Sequence, residues 1–195
     1  TKMIPMQKNV VEKLKFGLLN KPMVVEKVDD SPMGKLLATT VKHNRPISML
    51  DILNTAKTEP NNNTKPYIGG MITFNYAPES HRRLPHWDRF PMLMVTDIKG
   101  DLFRGINLLY LPPVLREKLI NHINTTTDRH KDETTKARLT YKILQHATKL
   151  KEFLPCVKTY HIDGVKSKFM NIHQDHWNIA TKLPMAKFNH SKGKL

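Results

Sequence analysis

From Tyr67 onward the chain alternates apolar side chains, with Ile72, Phe74 and Tyr76 on one face, and β-branched and aromatic residues become frequent. A period of two over such residues predicts a strand. Met92, Leu93, Met94, Val95 and Ile98 predict a second strand, and Lys99-Gly100-Asp101 predicts a tight turn after it. Leu102 to Leu109 then returns as a third, with Leu102, Arg104, Ile106 and Leu108 on one side and Phe103, Gly105, Asn107 and Leu109 on the other. Three such strands make an antiparallel meander. Pro112-Pro113 ends it and opens a helix, because proline lacks only an N–H that a first helical turn leaves unpaired anyway.

Helical spacing governs the flanks. Val10, Val11, Leu14 and Leu18 mark an amphipathic helix over residues 6 to 19. Ser31-Pro32 reads as an N-cap and first turn leading through Leu36, Leu37 and Val41, and Ser48 as the cap of a brief helix over Leu50 to Leu53. Thr55 to Pro66 carries turn residues and little to bury, so it is expected to be a linker that separates an N-terminal arm, residues 1–66, from a core domain, residues 67–188. After Pro113, Leu115, Leu119, Ile120 and Ile123 predict one helix, and Leu139, Ile143, Ala147 and Leu150 a longer one over Asp132 to Lys149. Its polar side carries Lys136, Arg138, Lys142 and Lys149. Cys156 to His161 reads as a strand, Asp163-Gly164 as a turn, Val165 to Ile172 as a partner strand, and Asp175 as the cap of a short helix containing Trp177 and Ile179. Residues 189–195 form a basic tail.

The charge is uneven. Lys and Arg number 32 and Asp and Glu 17, a net of +15. Residues 1–66 hold 11 basic and 6 acidic groups, residues 67–113 hold 5 and 4, and residues 114–195 hold 16 and 7. A near-neutral centre between basic flanks suits a packed core whose periphery meets nucleic acid or an acidic protein surface. The alternative is an ordinary solvated helix face. Hydrophobic residues make up 39%, enough for a core, yet no uncharged apolar run approaches the ~18 residues of a membrane span. The lysines near the start are followed by no apolar segment with a cleavage site, so cytosolic synthesis is expected. One cysteine, Cys156, precludes an intramolecular disulfide and a thiolate zinc cluster.

Catalytic patterns are weak. Ten histidines include His161, His173 and His176, but no HExxH pattern accompanies them, and Asp88, Asp97 and Asp101 lack the clustering of a divalent-metal nuclease. Gly69-Gly70 has none of the other residues of a phosphate loop and suits a tight bend or a close backbone approach. Leu84-Pro85-His86-Trp87-Asp88-Arg89-Phe90-Pro91 holds its aromatics between prolines, which favours Trp87 and Phe90 packing inward over stacking on bases. Candidate phosphate contacts are Arg82, Arg83, Arg138, Lys142, Lys166, Lys168, Lys187, Lys192 and Lys194. With no helix-turn-helix, zinc finger or RNP motif beside them, they would bind charge and shape without sequence specificity. The reading is of a protein that is no enzyme and uses no cofactor or metal.

Three blocks resemble the DNA end-protector family of T-even-like tailed bacteriophages. They are Gly70-Met71-Ile72-Thr73-Phe74-Asn75-Tyr76-Ala77-Pro78, Leu84 to Pro91, and Gly105-Ile106-Asn107-Leu108-Leu109-Tyr110-Leu111-Pro112-Pro113 with Arg116. Weaker echoes at Val165 to Phe169 and Trp177 to Phe188 extend the similarity over residues 67–188. Leu109 departs from the family pattern, which has a polar residue or His before the tyrosine. The resemblance implies a non-enzymatic virion protein, made in the bacterial host cytoplasm, that protects the ends of packaged double-stranded DNA. The alternative is a neck, tail or baseplate assembly protein whose basic arms meet other virion proteins. Gly70, Trp87, Asp88, Phe90, Gly105, Asn107, Tyr110, Pro112, Pro113 and Arg116 are then structural: Gly105 permits close approach within the sheet, and Asn107 bonds the adjoining loop. The expected fold class is α+β, a small antiparallel sheet or SH3-like partial barrel with helices on one side and basic extensions at both ends.

Overall fold

The alternation after Tyr67 becomes a five-stranded antiparallel sheet in a computed structural model, which describes residues 30–45, 47–48, 50–51, 54–55, 65–79, 86–186 and 189–190, with residues 86–87 and 189–190 described by their backbone alone. In chain order the strands are β1 (Met71–Thr73), β2 (His86–Trp87), β3 (Met92–Lys99), β4 (Leu102–Asn107), β5 (Val157–His161), β6 (Met170–Ile172) and β7 (Asn189–His190). The sheet order is β5-β4-β3-β1-β6, and β2 pairs with β7 separately. Among the described residues the helices are α1 (Pro32–His43), α2 (Pro113–Thr127), α3 (Glu133–Ala147) and the single turn α4 (Trp177–Ala180). None is long and apolar enough to cross a membrane.

The period of two sorts side chains onto two faces. Met71, Met92, Met94, Ile106, Met170 and Ile172 face the helices and meet Leu37, Leu119, Ile120, Ile123 and Leu144. Ile72, Phe74, Leu93, Val95, Phe103 and Tyr160 line the opposite face, with Phe169 over them. Fold class is therefore α+β, with the helices on one side, as expected. Of the two sheet forms, the open one is found. The segment after Gly164 does not return beside β5: it crosses the aromatic face, bridges Tyr76 through Val165, and delivers β6 to the far edge beside β1. Burial of Val165 and Phe169 against the aromatic cluster favours that crossing over a hairpin, and it leaves β5 and β6 at opposite edges.

α1 begins as its sequence dictates. The Ser31 hydroxyl accepts from the Gly34 N–H at 3.0 Å, Pro32 occupies the first turn, and Asn44 closes the helix in the left-handed conformation at φ 46°. The helix is not a detached arm: Met33, Leu36 and Leu37 are buried in the core, and Ile47 follows them. Apolar residues at spacings of three and one give α1 a stripe that must be covered, and the helix side of the sheet covers it. The Ser48 hydroxyl accepts from the Asp51 N–H at 3.1 Å, as its capping role requires. The expected helix over residues 6 to 19, and the linker between residues 56 and 64, lie outside the described residues.

Two helical details differ from the periodicity. In α3 the buried positions are Thr140, Leu144 and Ala147, with Leu139, Ile143 and Leu150 half-buried. Gln145 Nε2 donates to the Thr96 carbonyl oxygen at 3.2 Å and holds the helix in this rotation against β3. Near α4 the cap is His173, whose Nδ1 accepts from the Asp175 N–H at 3.3 Å; Asp175 lies inside the turn that follows.

Glycine is required where backbones meet. A Cβ on Gly105 would collide with the Met94 carbonyl oxygen and stand 2.7 Å from Leu93 Cγ, beside the register shift between Val95 and Asp97. At Gly70 it would stand 2.7 Å from Tyr67 Cε2, while Gly69 turns at φ 85° and donates to the Val95 carbonyl at 2.8 Å. Gly105→Ala is expected to lower the unfolding free energy by about 1–3 kcal/mol through overpacking. Urea titration measures it, and an unchanged midpoint would mean that β3 and β4 have room to part.

Candidate nucleic-acid interface

Asp88 follows β2 directly and is half-buried at the end of β4. Tyr160 donates its hydroxyl to Asp88 Oδ2 at 2.8 Å, and Asn107 Nδ2 donates both to that oxygen and to the Tyr160 hydroxyl, the latter at 3.2 Å. The Tyr110 hydroxyl also bonds the carboxylate. Asn107 Oδ1 in turn accepts the Leu109 N–H at 3.1 Å, a bond to the adjoining loop backbone. Burial pushes the Asp88 carboxyl up to about 6 from 3.8, against the pull of Tyr160, Tyr110, the Lys158 charge and Asn107. Burial and the Asp88 charge together raise both tyrosines.

Arg116 is the other polar centre, with no exposed surface. Its Nε donates to the Leu111 carbonyl oxygen at 2.7 Å, Nη2 to Leu109 at 3.2 Å, and Nη1 to the carbonyls of Leu183 and Thr181. Pro112 caps α2 and Pro113 fills its first turn, which sets Arg116 one turn into the helix and aims it back at the strand it came from. Burial lowers its pKa from 12.5 to about 10, opposed by the Cys156 thiol, so the guanidinium stays charged at neutral pH. Burial raises the Cys156 thiol in turn. Phe90 packs half-buried on the helix-side core, and the Arg89 guanidinium carbon lies 5.4 Å from its ring centroid. A cleft of about 700 Å³ opens there, lined by Asn44, Ile47, Asp88, Phe90, Leu109 and Met185 among others.

The candidate phosphate contacts divide. Arg138 and Lys142 are exposed on α3, with Lys149 just past its end, on the helix side of the sheet. Lys166 and Lys168 are exposed on the loop that covers the aromatic face, where Lys166 Nζ donates to the Asp163 carbonyl at 2.9 Å. The two pairs therefore do not form one patch. Arg82, Arg83, Lys187, Lys192, Lys194 and the Trp87 ring lie outside the described residues. Backbone pairing nevertheless sets His86 opposite His190 and Trp87 opposite Asn189, so residue 190, assigned to the tail by sequence, is in register with the motif strand.

Sequence reasoning missed two residues here. Tyr160 joins the Asp88 network to the aromatic cluster, and its signal was an inward position on the strand Cys156 to His161. Tyr141 is 42% exposed between Arg138 and Lys142 on α3. Gln145, one turn on, also bonds Asp97 Oδ1 at 3.3 Å, and Arg104 neutralises that carboxylate at 2.8 Å. Among the described residues, no three His, Cys, Asp or Glu side chains converge as metal ligands.

The fold and these side chains define a class: a small α+β module with buried polar groups held by hydrogen bonds and, among the described residues, exposed cations on both sides of its sheet. The chain belongs to the family described as Phage T4 terminal DNA protecting protein, which matches residues 38–195. The match begins within α1, in keeping with that helix being part of the core. No curated protein and no solved structure matches.

Two stability predictions follow from the buried groups. The Asp88 pKa is higher folded than unfolded, so its contribution is fully present below about pH 4 and lost as pH rises through about 6. The loss amounts to about 3 kcal/mol. Denaturant midpoints between pH 4 and 7 should fall for the native chain and flatten for Asp88→Asn; equal slopes would mean that the hydrogen bonds to the carboxylate offset its burial. Arg116→Ala strands the carbonyls of Leu111, Thr181 and Leu183, while Leu109 keeps the Ala186 N–H, and is expected to cost about 3–5 kcal/mol, with Arg116→Lys recovering part. A loss below about 1 kcal/mol on denaturant unfolding would show that water replaces the guanidinium.

Proposed function

We propose that this protein binds and shields the ends of linear double-stranded DNA in the virus particle, as a non-catalytic virion component. The observation that carries the reading is the exposed cationic face of α3, Arg138 with Lys142 and Lys149, in a chain whose family is described by terminal DNA protection. Arg138 and Lys142 are one helical turn apart, about 6 Å along the axis, and long side chains at that interval reach successive phosphates. Such contacts carry no sequence information, which suits a protein that meets whatever sequence a packaged end presents.

Lys166 and Lys168 lie across the sheet from α3, so a duplex laid on the helix does not engage both sets. In this reading α3 meets DNA, and the loop lysines serve contact with other virion proteins. The buried groups then hold the shape of the module and take no part in bond chemistry.

Protection of a blunt linear duplex from an exonuclease that enters at ends tests the proposal, with an endonuclease-treated circular plasmid as the control for general coating. The native chain should protect ends, with affinity falling as salt rises. Arg138→Ala, Lys142→Ala and Lys149→Ala together should reduce the slope of log affinity against log salt by about 2–3, since each phosphate contact contributes ~0.9. Lys166→Ala with Lys168→Ala should leave that slope unchanged. Affinity indifferent to salt would overturn the phosphate contact, and cleavage of the duplex on adding magnesium would overturn the non-catalytic assignment.

A further inference from the structure

An end-binding protein has to tell a terminus from the interior of the same duplex. Phosphates and groove edges are common to both, whereas the flat face of the last base pair is exposed at the end alone. Charge therefore supplies affinity without supplying the distinction. A side chain that reads an end needs an exposed aromatic ring, free to stack, with cations close enough to hold the flanking phosphates.

Among the described residues, the exposed aromatic side chains are Tyr67 and Tyr141, at 41% and 42%. Tyr67 is engaged already: its hydroxyl donates to Asn171 Oδ1 at 2.8 Å, and its ring lies against Gly70. Tyr141 stands on the exposed side of α3 three residues after Arg138, which neighbours it on the helix surface, and Lys142 lies one turn on from Arg138, on the side of it away from the ring. Gln145, one turn further, is bonded to the Thr96 carbonyl and to Asp97, which fixes the helix under the ring. The nearby Asp97 charge is met by Arg104, with Oδ2 accepting from Nε at 3.1 Å and from Nη2 at 2.8 Å.

Resting on the function proposed above, we infer that Tyr141 is the end-reading residue, its phenol ring stacking on the terminal base pair while Arg138 and Lys142, to one side of the ring, hold the adjoining phosphates. Aromatic stacking tolerates any base, so the device stays indifferent to sequence. The hydroxyl is not needed for it.

The test compares the full-length chain on one blunt duplex with open ends and on the same duplex with both ends covalently closed by hairpin loops. The native chain should prefer open ends. Tyr141→Ala should reduce that preference about 5-fold or more, the range expected for one stacked base. Its affinity for the closed duplex and its salt slope should not change, and Tyr141→Phe should behave as native. Circular dichroism of the variants controls for folding. A preference that survives Tyr141→Ala within twofold overturns the assignment while leaving end binding intact. Equal binding of both duplexes by the native chain overturns end reading by any ring, and binding of neither overturns the proposed function along with it.

Discussion

A charged guanidinium with no exposed surface is the constraint around which this structure is arranged. Removing an arginine from water costs several kcal/mol, and here no carboxylate among the described residues offsets it; four backbone carbonyls do. Those carbonyls come from two places far apart in sequence. Leu109 and Leu111 belong to the link between β4 and α2, whereas Thr181 and Leu183 follow α4. These oxygens lie outside the sheet and helix ladders, so the arginine and the two loops satisfy each other. Leu109 accepts a second bond from the Ala186 N–H at 2.9 Å, which extends the same tie toward β7. The paired prolines, the 3₁₀ turn at Leu108–Tyr110 and the chain after α4 are thus held by one side chain.

The aromatic face shows a second way of closing a small sheet. Phe74 lies edge-on to Phe103, Tyr160 and Phe169 at centroid distances of 5.3 to 5.4 Å, and Phe103 stacks on Tyr160 at 5.6 Å. Among the described residues no helix covers this side. The rings, with Ile162 and Val165 on the crossing loop, bury it instead. Tyr160 then carries the cluster outward, because its hydroxyl ends on Asp88. A packed ring thereby fixes a loop that begins at β2, and β2 in turn pairs with β7. The His86-Trp87-Asp88 segment is consequently tied at Asp88 to the sheet and at His86 and Trp87 to β7.

How much of this could be read beforehand divides along physical lines. The meander was legible because alternation, the Lys99-Gly100-Asp101 turn and the prolines are local signals, and α1 was legible because Ser31-Pro32 opens it and Arg45-Pro46 ends it. The placement of β6 was not: Val165 to Ile172 looks equally like a hairpin partner of β5, and the aromatic surface that decides the matter is built, Tyr160 apart, from residues more than fifty positions away. Arg116 was named only as part of a motif, because nothing in Pro112-Pro113-Val114-Leu115-Arg116 says that a cation will turn inward. Basic residues were legible as a set but not as a surface. Arg138 and Lys142 against Lys166 and Lys168 differ in which side of the sheet they occupy, and only the crossing after Gly164 determines that.

That division bears on how a net charge of +15 is tolerated. Like charges destabilise a compact chain by mutual repulsion, and distance and counterions are what weaken it. Here one arginine is buried among carbonyl dipoles, Arg45 and Arg104 are matched by Asp51 and Asp97, and the α3 and loop lysines stand on opposite sides of the sheet. A polyanion on one side would relieve the repulsion that remains, and it favours the folded chain to the extent that the folded arrangement of cations binds it more tightly than the unfolded one. The same excess of positive charge that limits the free protein's stability therefore strengthens the complex in which it is proposed to act.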